Sequence, residues 1–80
     1  LDEAIQHYRQ ALVLNPDHVN ANNGLAVALY HQGQLEEAKI YCERAIALDP
    51  NYFSAYNNLG TILQKQGRLN VAKAQYQKAL

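Results

Sequence analysis

The chain has only one cysteine and no net charge, and each shortage narrows what it can be. A lone cysteine, Cys42, cannot close an internal disulfide, so the fold does not depend on oxidation. A reducing, cytoplasmic setting is compatible with that, though one cysteine does not establish it. Seven Lys and Arg balance seven Asp and Glu. Without clustered basic residues there is no electrostatic footprint for a nucleic-acid backbone or an anionic membrane surface. No apolar run approaches the ~20 residues of a membrane helix, and no signal-peptide pattern opens the chain. Eighty residues suffice for one compact unit, not two. A unit this small buries only about 60% of the surface its unfolded chain exposes, so its stability is modest.

What the sequence does have is a repeat of 34 residues. Shifted by that period, Asn15-Pro16-Asp17 falls on Asp49-Pro50-Asn51, and residues 19–46 fall on 53–80. Ten pairs are identical: Ala21/Ala55, Asn23/Asn57, Leu25/Leu59, Leu29/Leu63, Gln32/Gln66, Gly33/Gly67, Leu35/Leu69, Ala38/Ala72, Lys39/Lys73 and Ala45/Ala79. Upstream, Leu1, Ala4 and Ala11 continue the register of Leu35, Ala38 and Ala45. Self-similarity at this period is the signature of a stacked-repeat architecture.

Within each period apolar residues recur at three and four, the spacing of a helix face. Gly33 and Gly67 end the first helix of a period, because glycine enters a left-handed cap without a Cβ penalty. Pro16 and Pro50 stop the second helix. Asp17 and Asn51 stand where a side-chain oxygen would cap the next one. The pattern predicts helices over 2–14, 18–32, 35–48, 52–66 and 69–80. Linkers of a few residues require neighbours to lie antiparallel. No segment reads as a strand.

These residues resemble the tetratricopeptide repeat family, whose pattern runs W-x2-L-G-x2-Y…A-x3-F…P. Tyr56, Leu59-Gly60, Leu63, Ala72, Tyr76 and Ala79 match it from Phe53 onward, and Leu25-Ala26, Leu29, Ala38, Cys42, Ala45 and Pro50 match it one period earlier. Asn22 and Cys42 stand where the family usually has aromatics, so looser packing is expected in the middle repeat. Small residues at Ala26, Gly60, Ala38 and Ala72 would let paired helices approach closely. The resemblance implies an all-α, right-handed solenoid of antiparallel helix-turn-helix repeats. Its expected parts are the second helix of a partial repeat (1–18), a full repeat (19–52) and the helical part of a third (53–80). It also implies a scaffold whose first helices line a concave groove for a protein or extended peptide, with no catalytic residue, cofactor or metal.

At the groove positions of that family lie Asn20, Asn23, Gly24, Val27, Tyr30 and His31, then Ser54, Asn57, Asn58, Thr61, Gln64 and Lys65. The stripe is polar and nearly uncharged. An asparagine amide offers a donor and an acceptor together, matching a peptide unit. The arrangement resembles the asparagine-lined superhelix of O-linked N-acetylglucosamine transferases, with Asn58 at the place of the family asparagine and Gly24 interrupting the ladder. The bland alternative is that these amides are solvated or capping locally. Carboxylate-holding grooves of the family use Lys and Arg, and here only Lys65 lies on the stripe.

The remaining chemistry is sparse. His7, His18 and His31 include no pair at i, i+4, and no second cysteine joins Cys42, so a metal site lacks convergent ligands. Cys42 reads as a small buried hydrophobe. Asp2, Glu3, Glu36 and Glu37 open second helices, where carboxylates favour the positive end of the dipole. Tyr8, Tyr56 and Tyr76 are expected in the core and Tyr30 in the groove. Two other functions compete with a binding scaffold: the substrate-selecting arm of an enzyme such as a glycosyltransferase, and a self-assembly module. The chain begins in mid-pattern at Leu1, which suggests an excerpt of a longer protein. Part of the stripe Leu1, Ala4, Tyr8, Ala11 and Leu12 would then be uncovered, as would Tyr76, Ala79 and Leu80, and self-association through such ends is an expectation.

Overall fold

A computed structural model describes residues 2–67 and residue 77. Among them run four helices: α1 (Asp2–Leu14), α2 (Val19–His31), α3 (Leu35–Leu48) and α4 (Phe53–Lys65). Apart from residue 77, which is helical, the expected helix over 69–80, with Ala72, Tyr76, Ala79 and Leu80, lies outside the described residues, as does Leu1. Two helices are a residue shorter at each end than their apolar periodicity suggests. No strand occurs among the described residues. The chain is an all-α stack of helix-turn-helix repeats: α2 packs on α1, α3 and α4, and α3 packs on α4.

The turns explain where the helices stop. Gly33 and Gly67 have φ of +80° and +82°. After α2, the Gln34 N–H reaches the Leu29 carbonyl and the Gly33 N–H the Tyr30 carbonyl, each at 2.9 Å. This crossed pair satisfies carbonyls that a helix end otherwise leaves open, and it requires the left-handed residue that glycine supplies.

At the other joints the expected capping by Asp17 and Asn51 is not what forms. Asn15 Oδ1 accepts from the Asp17 N–H, and Asp49 Oδ1 accepts from the Asn51 N–H, both at 3.1 Å. The residue before each proline thus folds a turn by bonding the backbone two positions on. The turn closes with the His18 N–H on the Asn15 carbonyl at 3.1 Å and the Tyr52 N–H on the Asp49 carbonyl at 3.0 Å. The helix therefore starts one residue later than anticipated. His18 caps α2, its Nδ1 accepting from the Ala21 N–H at 3.1 Å. Tyr52 caps α4 without a side-chain bond.

One cluster ties three helices together: Leu25, Ala26 and Leu29 of α2, Ala38 and Cys42 of α3, and Leu59, Ile62 and Leu63 of α4. Ile5, Tyr8 and Leu12 of α1 pack against it half-buried. Burial of each large aliphatic side chain stabilises by about 1.5–3 kcal/mol. The expected looseness of the middle repeat is not found, for Asn22 and Cys42 are both fully buried. Asn22 replaces the aromatic contact with hydrogen bonds: its Nδ2 donates to the Pro16 carbonyl at 3.1 Å and to the His18 carbonyl at 3.0 Å. The side chain stitches the turn to α2 from inside. Tyr56 is buried as expected, whereas Tyr8 reaches the core only in part. Val13 and Leu14 are exposed at the end of α1.

Tyr8 accounts for Gly24. A Cβ on Gly24 would lie 2.8 Å from the Tyr8 hydroxyl oxygen and closer still to ring carbons. Alanine there gains up to about 1 kcal/mol of helix propensity but must displace the ring. Gly24→Ala is therefore destabilising beside Tyr8 and stabilising in a Tyr8→Ala background. Thermal melts of the four chains should give a coupling of about 1 kcal/mol or more; additive effects would show that the ring does not rest on Gly24.

Candidate functional site

The stripe of candidate residues divides between two helices that touch, α2 and α4. Between them Val27, Tyr30 and His31 of α2 face Asn58, Thr61 and Ile62 of α4 across a cleft of about 100 Å³. Five of the six were on the expected stripe. Ile62 was not, because its register partner is Ala28, a small core residue. The size difference between Ala28 and Ile62 is the signal that could have found it. Ile62 is 1% exposed, so it forms the floor of the cleft and belongs to the core as well.

The amides form pairs, not a row of independent clamps. Asn58 Nδ2 donates to Asn23 Oδ1 at 2.9 Å. The Tyr52 hydroxyl donates to Asn20 Oδ1 at 2.9 Å. Both bonds cross from α4 or its leading turn to α2, holding the two helices in register on this face. Each amide group retains bonding capacity, since a primary amide has two donors and two acceptor lone pairs. Gly24 leaves its place in the ladder empty because the Tyr8 ring occupies the space a side chain would take.

The rest of the stripe lies outside the cleft. Asn57, Ser54, Gln64 and Lys65 are exposed along α4. The Asn57 carbonyl accepts from the Thr61 hydroxyl at 3.0 Å, which commits that proton within the helix. Tyr30 and His31 meet edge to face with centroids 5.4 Å apart. They form the wall at the C-terminal end of α2.

On the other face two carboxylates of α3 are held by neighbours. Arg9 meets Glu37 at 3.4 Å, joining α1 to α3. Gln66 Nε2 donates to Glu36 Oε2 at 2.8 Å. Glu36 and Glu37 occupy the first turn of α3, where the helix dipole favours them. No group of three His, Cys, Asp or Glu residues suited to a metal is gathered among the described residues. Nor is any helix there long and apolar enough to cross a membrane.

With the geometry in place, comparison with known proteins decides the family. Models described as tetratricopeptide repeat match residues 1–53 and 41–80. The chain belongs to the tetratricopeptide repeat family. No curated protein sequence matches it. Among solved structures it is similar to MamA, with a TM-score of 0.89 and 26% identity over 96% of this chain and 42% of that one. It also resembles the first repeat domain of Spaghetti (RPAP3) bound to the HSP90 peptide SRMEEVD, with a TM-score of 0.95 and 28% identity over 99% of this chain and 63% of that one. The second repeat domain of Spaghetti, bound to the same peptide, gives 0.93 and 28% over 98% and 72%. This tetratricopeptide chain thus spans less than half the length of that MamA structure. Its family is generally a non-catalytic protein-interaction fold.

Cys42 has the environment of a packing residue. It is fully buried, and burial, helped by the nearby Glu43 carboxylate, pushes its pKa from 9.0 up to about 12. The neutral thiol is a poor nucleophile. Because the folded value is the higher one, this contribution to stability is complete below about pH 9 and is lost as pH rises from 9 toward 12. Iodoacetamide at pH 8 should leave Cys42 unmodified in the folded chain and alkylate it readily in denaturant. Alkaline destabilisation should be smaller in Cys42→Ala. Fast alkylation without denaturant would mean the thiol is open to solvent.

Proposed function

We propose that this chain is a protein-interaction module that binds an extended peptide segment along its α2–α4 face, the concave side expected of the family. The observation that carries the reading is the cleft between Val27, Tyr30 and Ile62, with Asn58 at its edge. An apolar depression beside a few convergent polar groups is the usual form of a binding site. The two Spaghetti structures hold peptides on a fold this chain matches at TM-scores of 0.95 and 0.93. Of the stripe residues, Asn20, Asn23, Val27, Tyr30, His31, Ser54, Asn57, Asn58, Thr61, Gln64 and Lys65 are assigned to the face. Val27, Tyr30, Asn58 and Thr61 lie at its centre.

The asparagine content supports recognition through the ligand's backbone, as in the asparagine-lined grooves of glycosyltransferase arms. The Asn23–Asn58 bond makes the two amides one rigid unit, and a preorganised donor–acceptor pair costs less to immobilise on binding.

Selection from a random peptide library displayed on phage, followed by titration of the selected peptide, tests this. Amide shifts should concentrate on α2 and α4. Asn58→Ala should weaken binding about two- to tenfold while leaving helicity unchanged, as expected for one neutral hydrogen bond of about 0.5–1.5 kcal/mol. Affinity should fall little between low and high salt, because Lys65 is the one lysine or arginine of the stripe. Shifts confined to α1 and α3 would contradict the assignment of the face.

A further inference from the structure

We infer that the α2–α4 cleft takes one branched aliphatic side chain of an uncharged stretch of peptide, held beside the Asn23–Asn58 amide pair. This rests on the peptide-binding reading above and narrows it to a ligand class. Three features of the cleft select the occupant. Its volume is about 100 Å³. An apolar cavity of roughly 150 Å³ accommodates a benzene-sized group, so the space here suits a leucine- or isoleucine-like branch and is short for an aromatic ring. Its floor and one wall are hydrocarbon, from Ile62 and Val27. The Thr61 hydroxyl proton is already committed to the Asn57 carbonyl.

Charge selects too. Among the described residues no Asp, Glu, Lys or Arg lines the cleft, and His31 is its one basic group. A carboxylate placed there would lose hydration with no described lysine or arginine in the lining to offset the cost, which is large for an unpaired charge. Lys65, the nearest candidate on the stripe, is exposed and outside the lining. An acidic ligand such as SRMEEVD, the peptide bound by the Spaghetti domains, therefore finds no basic partner but His31 among the described lining residues.

The amide pair supplies register. Asn58 both lines the cleft and bonds Asn23, so its orientation is fixed from one side. With one proton of its Nδ2 engaged, the second proton and the Oδ1 remain to meet a peptide carbonyl and N–H. An aliphatic anchor in the cleft would then place its own peptide unit near the pair.

The test uses three capped or free heptapeptides against the ¹⁵N-labelled chain. One carries a single leucine in a serine–glycine background, the second has alanine in its place, and the third is SRMEEVD. The leucine peptide should shift the amides of Val27, Tyr30 and Thr61 and bind about tenfold or more tighter than the alanine peptide, the ratio expected from burying the side chain. Val27→Phe, which fills the cleft, should bring that ratio toward unity. Asn23→Ala, which loosens the amide pair from outside the lining, should weaken both neutral peptides equally and leave the ratio intact.

Equal affinity for leucine and alanine peptides, with shifts still on α2 and α4, overturns the aliphatic anchor and leaves the binding face standing. Tighter, salt-sensitive binding of SRMEEVD does the same. Shifts on α1 or α3 alone, or none with any peptide at millimolar concentration, overturn both.

Discussion

The structure depends on the approach of three helices through a core of small residues. Ala26, Ala38, Cys42 and Ala45 are all fully buried, and none carries a side chain longer than two heavy atoms. They let the longer Leu25, Leu29 and Ile62 pack together fully buried, which is where a small unit draws most of its stability. Because α3 packs on both α2 and α4, it sets those two helices side by side. Their facing edges become the cleft, and the Asn23–Asn58 bond closes it at one side. The cleft proposed to bind peptide is thus a product of core packing, for its floor residue Ile62 is a core residue.

The fold was legible because its determinants repeat. Gly33 and Gly67 are required by a positive φ, and a requirement stated twice at a fixed interval stands out from a single sequence. The same holds for Leu25 and Leu59 or Leu29 and Leu63, whose burial is common to both periods. The helix starts were less legible. Asn15 and Asp49 fold the turn by reaching forward, and that moves the cap onto His18 and Tyr52, residues with little capping propensity of their own. Asn22 was misread for a related reason. A polar residue at an aromatic position suggests a void until the Pro16 and His18 carbonyls are seen to lie within reach of its Nδ2.

The candidate face was legible as a stripe and not as a site. Period and register place Val27, Tyr30, Asn58 and Thr61 on one side of their helices. They do not say that Asn58 turns to Asn23 while Asn57, its neighbour, stays exposed. Side-chain pairing across helices depends on distances that no one-dimensional pattern contains. Gly24 is the sharpest case. In the sequence it is a gap in an asparagine ladder; in the structure it is the space that the Tyr8 ring of the preceding helix needs. The missing amide reflects packing against Tyr8.

The central claim is that core packing brings α2 and α4 close enough to form a cleft with a bonded amide pair at its edge. Nuclear Overhauser contacts in the free chain test it most directly. Contacts are expected from the Asn58 side-chain amide protons to the Asn23 side chain, and from the Val27 methyls to the Thr61 and Ile62 methyls. Full helicity with those contacts absent would contradict it, since the helices would then form without creating the face on which the binding proposal stands.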